Sequence, residues 1–179
     1  MPFPKDILLI DFETTGYGAD VSEPIEIGAL LLDQNTLREK DSFNSLIYSE
    51  LKNITPGSAE MWKIDQAEIK SAPKLQLVGK QFIEKFGFNV LVSGWVQRLD
   101  RSMLNKMVLA AGENPEKYDY HYLDLWPIAY LHLVKRGYQG GLDSDSIFKE
   151  FGVPLRGKHD ALEDCRIEAE ILRKIFNAQ

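Results

Sequence analysis

The sequence predicts an α/β protein built on a mixed five-stranded sheet flanked by helices. Three observations carry this. Short, continuous apolar runs at 7–10 (ILLI) and 90–94 (VLVSG) have the character of strands covered on both faces. Two longer stretches, IEIGALLLD (25–33) and SFNSLIYS (42–49), are joined only by the polar QNTLREKD, a short link that suits an antiparallel pair. Beyond residue 70 the apolar pattern alternates between helical spacing and short strands.

In chain order, 7–10, 25–33 and 42–49 are the first three strands. Leu75, Val78, Phe82 and Phe86 recur at helical spacing within 71–86, and 90–94 follows as a strand stopped by Gly94. A helix is expected over 99–111, then a strand at YHYLDL (120–125). Asp124-Leu125-Trp126-Pro127 opens the next helix, with proline tolerated in the first turn. A short helix at 144–151 is closed by Gly152, and the last helix runs from about Asp160 to Phe176. Leu162, Cys165, Ala169, Leu172 and Phe176 form its apolar face.

At 179 residues the chain suits one domain, 1–179, with a core that needs no staples. Its formal net charge of −6 argues against a long footprint of neutralised phosphates, while a short or metal-mediated contact is compatible with it. The lone Cys165 excludes an internal disulfide and a cysteine zinc cage. MPFPKD does not read as a signal peptide, and no apolar run nears the roughly 20 residues of a membrane span. The expectation is a cytoplasmic protein without membrane contact.

Chemistry concentrates at the two ends. In DFETTG (11–16), side chains two apart on a strand share a face, so Asp11 and Glu13 point together and Phe12 points away. Adjacent carboxylates repel, and one takes up a proton unless a cation lies between them. Mg²⁺ and Mn²⁺ are the usual hard, oxygen-liganded partners. A merely solvated strand end is the alternative. Thr14 and Thr15 offer hydroxyl and backbone donors, and Gly16 permits a tight turn with close approach of a ligand. Both threonines also suit plain turn formation.

In KHDALEDCRIEAEIL (158–172), Asp160 and Glu163 have the spacing of a capping box. His159 then lies just before the helix and Asp164 about one turn inside it. From the entering loop, an imidazole with a pKa of about 6.5 can turn toward the cleft of Asp164 and remove a proton. An ordinary surface histidine is the competing reading. Glu163, Glu168 and Glu170 are assigned to the solvated helix face. In the middle of the chain, Asp100 follows the strand ending at Gly94; it can cap the next helix or reach across the sheet edge to Asp11. Trp95 can stack on a base or fill the core.

Taken together, D-x-E-T-T-G near the start, an Asp after a mid-chain strand, and H-D-A-L-x-D near the end resemble the DEDDh exonucleases. That family includes the proofreading exonuclease of bacterial DNA polymerase III, RNase T and oligoribonuclease. The resemblance spans roughly residues 5–176, and EPIEIGALLLD also looks like the family's second strand. It implies a ribonuclease H-like fold and hydrolysis of DNA or RNA from the 3′ end to nucleoside 5′-monophosphates. It further implies two divalent cations, Mg²⁺ or Mn²⁺, held by Asp11, Glu13, Asp100 and Asp164, with His159 as general base. Met61 and Trp62 fall where the family places an apolar wedge against terminal bases. The middle block departs from the family, with Trp95, Val96 and Leu99 where His-Asn and an aromatic are common, and Asp124 is read as structural. The expected partner is single-stranded or 3′-terminal nucleic acid; neither a polymerase partner nor a homo-oligomer has a motif here. Two other readings are a catalytically silent binding module of the same fold and a phosphoesterase for small nucleotides. Retention of every acid and of His159 argues against silence, and chain-length dependence of the rate separates the last reading from the first.

Overall fold

The computed structural model describes residues 3–18, 20–52, 54–55, 57–62, 64–155 and 159–177, without the side chains of Ala59 and Met61. Five strands, β1 (Ile7–Thr14), β2 (Pro24–Leu32), β3 (Glu39–Leu46), β4 (Leu91–Gly94) and β5 (Leu123–Asp124), form one sheet in the order β3-β2-β1-β4-β5. β1, β2 and β3 are antiparallel neighbours, whereas β4 runs parallel to β1 and β5 parallel to β4. The expected mixed sheet is therefore present. Its helices are α1 (Ser58–Met61), α2 (Gln66–Ser71), α3 (Leu75–Phe86), α4 (Gln97–Ala110), α5 (Leu125–Val134), α6 (Ser144–Phe151) and α7 (Ala161–Asn177), with a 3₁₀ turn at Pro115–Lys117.

Alternation along β1 decides which helices it meets. Ile7 and Leu9 pack beneath α5, α6 and α7, while Leu8, Ile10 and Phe12 pack against α3 and α4. By the same parity Asp11 and Glu13 extend the face that α7 covers. Two glycines allow backbones to close up. A Cβ on Gly28 would lie 2.2 Å from the Ala161 carbonyl carbon, so the first turn of α7 rests directly on β2. A Cβ on Gly79 would lie 2.6 Å from the Met107 carbonyl oxygen, where α3 crosses α4.

The boundaries differ from expectation in four places. β1 continues through Asp11–Thr14 because β2 supplies the backbone ladder whatever the side chains' polarity. β3 starts at Glu39 rather than Ser42. The Asp33 carboxylate takes the N–H groups of Asn35 and Thr36 at 3.1 and 2.8 Å, and Leu37 adopts φ 55°, so the chain reverses early. The helix expected from 71 is split at Pro73: Ala72 is extended and α3 begins at Leu75. β5 shrinks to two residues, since Asp119 accepts from the His121 N–H at 3.0 Å and curls the chain before it. By contrast α6 ends as expected, with Gly152 at φ 61°. Among the described residues no helix is long and apolar enough to cross a membrane.

Candidate active site

β1 ends at a cleft lined by Asp11, Glu13, Thr14, Trp62, Asp100 and His159, among others. Three elements deliver the acids. Asp11 and Glu13 come from β1, Asp100 from the first turn of α4 and Asp164 from the first turn of α7. Both helices turn their positive N-terminal ends toward the site, which favours carboxylates there. Glu13, Asp100 and Asp164 are only 7%, 2% and 3% exposed. Carboxylates so buried and so close cannot all carry charge cheaply without a cation.

Each acid has a visible reason for its position. Asp100 does not cap α4, which begins after Val96 without a side-chain cap. Its Oδ1 instead accepts from the Phe12 N–H at 3.3 Å, tying α4 to β1 between Asp11 and Glu13. Asp160 opens α7 as expected: its carboxylate accepts from the Glu163 N–H at 3.0 Å and its carbonyl from the Asp164 N–H at 2.9 Å. That start points Asp164 back at β1. His159 Nδ1 lies 3.5 Å from Glu13 Oε1 and 3.4 Å from Asp164 Oδ2. Glu13, His159 and Asp164 each offer a ligand atom within 4.8 Å of the others'. The set is carboxylate-rich with one imidazole, which fits a hard divalent cation such as Mg²⁺ or Mn²⁺. The buried Cys165 thiol registers the same convergence: burial pushes its pKa up, and the charges of Glu168, Asp11, Asp100 and Asp164 push it further.

The TTG turn is clamped from behind. Thr15 N–H donates to the Glu23 carbonyl at 3.0 Å, and the Thr15 carbonyl accepts from Thr55 N–H and Ser58 Oγ, both at 2.9 Å. Thr14 Oγ1 donates to the Gly16 carbonyl at 2.6 Å, and a Cβ on Gly16 would strike Thr55 Cγ2 at 2.6 Å. Thr14 and Gly16 therefore line the cleft. Thr15 does not: it is fully buried, and its Oγ1 accepts from the Glu23 N–H. Trp62 lines the cleft while packing on Ile25 and Ile69, and its backbone bridges to His159. The Met61 side chain lies outside the described residues.

Trp95 is corrected as a base-stacking candidate. It is 2% exposed, sits edge-on to Phe148 at 4.9 Å and donates its indole N–H to Ser144 Oγ at 2.9 Å, inside the core under α6. Its neighbour Val96 lines the cleft instead. Glu168 is also corrected: it is fully buried on the inner side of α7, whereas Glu163 is exposed and Glu170 pairs with Arg173 and Lys174. Asp124 lies outside the cleft at the start of α5, its pKa raised by burial. Sequence reasoning has no sign of Ser58, which reaches the site through the short α1. Tyr17 is signalled only by its place after the TTG turn, where it stands exposed at the cleft.

Glu26 faces Glu13 across the β1–β2 pair and accepts from the Ala161 N–H at 3.4 Å. Burial raises its pKa from 4.5 to about 7, with the Ala161 bond opposing and the charges of Asp160 and Glu13 adding to the rise. A carboxyl shifted this way binds more protons folded than unfolded between those two values, so stability falls as pH climbs through that window. Glu26→Gln is expected to leave stability near wild type below pH 4.5 and to raise it by about 2 kcal/mol at pH 8, read by thermal melts in EDTA.

The exonuclease family profile of RNase T type matches residues 8–172. Over 178 residues the chain is 28% identical to the PolC-type DNA polymerase III of Clostridium perfringens, covering 97% of this chain and 11% of that protein. It is 29% identical to the Caenorhabditis elegans 3′-5′ exonuclease crn-4, covering 97% of this chain and 64% of that one. Escherichia coli exonuclease I, crystallised with zinc and single-stranded DNA, superposes with a TM-score of 0.81 at 13% identity over 98% of this chain and 41% of its own. The chain thus spans about a tenth of the PolC-type relative and four-tenths of exonuclease I. The sheet order and flanking helices are those of a ribonuclease H-like fold, and with the family profile matched over 8–172 the chain belongs to the DEDDh-type 3′-5′ exonuclease family.

Proposed function

We propose that this cleft hydrolyses the 3′-terminal phosphodiester of single-stranded DNA or RNA and releases nucleoside 5′-monophosphates. The observation that carries the reading is the meeting of β1 and α4 carboxylates in one cleft with His159, which is set between Glu13 and the buried Asp164 of α7. Asp11, Glu13, Asp100 and Asp164 would hold two divalent cations, Mg²⁺ or Mn²⁺. When bound, these supply Lewis-acid stabilisation of the phosphodiester oxygens and an acidified water. The residues do the rest. His159 takes the proton of the attacking water as its oxygen bonds to phosphorus and the bond to the 3′ oxygen breaks. The 5′-monophosphate leaves, and the shortened chain's 3′ oxygen is protonated from solvent. Thr14, Gly16, Met61 and Trp62 receive the terminal nucleotide. A net charge of −6 does not oppose this, because the cations supply the local positive field. The same reading places the chain in the cytoplasm as one domain, and the likeness to a PolC-type polymerase supports work beside a polymerase.

His159→Ala is expected to lower kcat by about 10²–10⁴-fold with KM little changed. Single-turnover kinetics, with chromatography of the released nucleotides, checks it. Full activity in the variant would remove His159 as base, and 3′-monophosphate products would contradict the reaction.

A further inference from the structure

We propose that a groove beside the cleft is a second binding site, holding the bases of single-stranded nucleic acid on the 5′ side of the scissile bond. This rests on the exonuclease reading: with the 3′ end in the cleft, the rest of the strand must leave along the surface. The groove, of about 560 Å³, lies at the carboxyl ends of β4 and β5, and Val96 lines both it and the cleft. Parallel strands commonly present ligand sites at that edge.

Its wall is built for bases more than for phosphates. Trp126 is held rigidly, stacked on Tyr130 at 5.1 Å and 9° and donating its indole N–H to the Leu142 carbonyl at 3.1 Å. Val96 and Leu142 add apolar surface at 52% and 59% exposure. Arg98 is exposed on the same rim and forms no ion pair among the described residues, so it is placed to meet a backbone phosphate. Gln97 and Asp124 line the groove as well. Asp124 and Asp143 also line the groove, Asp143 capping α6 through Ser146, so the groove offers stacking surface with a single cation rather than a positive field. Stacking with one cation is the pattern of sequence-tolerant single-strand binding.

The test is fluorescence anisotropy of 5′-fluorescein-labelled dT12 with Ca²⁺ present. Leu142→Asp and Arg98→Ala are each expected to weaken binding by about five- to tenfold. Both positions are exposed, so folding is not at stake. Leu109→Asp, on the same helix as Arg98 and 63% exposed but outside the groove, is expected to bind as wild type. Equal losses in all three variants, no loss in the first two, or no measurable binding of dT12 by the wild-type protein would overturn the groove. If the groove variants alone lose affinity while the wild-type protein cuts no oligonucleotide with Mg²⁺ or Mn²⁺, the groove stands and the hydrolytic reading fails.

Discussion

Asp164→Asn is expected to lower kcat about a thousandfold, close to 4 kcal/mol of transition-state stabilisation. The substitution keeps the shape of the side chain and removes one charge. It takes one donor from the Glu13–His159–Asp164 cluster and one of the two carboxylates facing His159 Nδ1. Stability should move the other way. With the cations removed by EDTA, Glu13, Asp100 and Asp164 are buried carboxyl groups crowded together, so replacing one with an amide relieves that crowding and the melting temperature should not fall. Steady-state kinetics and a thermal melt on one preparation read both effects. Lost activity accompanied by a lower melting temperature would mean that Asp164 serves the fold rather than the chemistry.

Gly28→Ala should be the most damaging single methyl group in the protein. Its Cβ would lie 2.2 Å from the Ala161 carbonyl carbon, 2.3 Å from the Leu162 nitrogen and 2.4 Å from the Ala161 oxygen. All three are backbone atoms, so no rotamer change relieves the clash. The first turn of α7 must lift from β2, taking Asp164 and His159 with it. A loss of about 3 kcal/mol is expected, or roughly 10 °C in melting temperature. Well below that melt, activity should still fall about a hundredfold, because displacements near 1 Å are enough to spoil a catalytic geometry. An unchanged melt would show that α7 docks on β2 less tightly than a 2.2 Å approach requires.

These two residues also mark what a sequence can reveal. Asp11 and Glu13 were legible because strand parity is local: two apart means one face, and that face proved to be the one under α7. Asp160, Glu163 and the start of α7 were legible through helix-capping chemistry. Gly28 shows as a glycine in a strand, but its partner is Ala161, and no local rule names a contact so distant in the chain. Asp100 had two readings that only the tilt of α4 could separate, and its bond to Phe12 N–H separates them. Trp95 and Val96 differ by one position and go to opposite places, one into the core and the other to the surface. Helices as short as α1 and α2 have too few turns for a period to show. Glu168 misled because charge is a good guide to exposure everywhere except around a site that gathers charge.

The measurement that bears most directly on the account is cleavage of 5′-labelled and 3′-labelled single-stranded oligonucleotides, as DNA and as RNA, with Mg²⁺ or Mn²⁺. The account predicts a 5′-labelled ladder that shortens from the 3′ end, immediate release of the 3′ label as mononucleotide, and loss of both in EDTA and in Asp11→Ala. Cleavage that persists in EDTA, that starts from the 5′ end, or that survives intact in Asp11→Ala would contradict it.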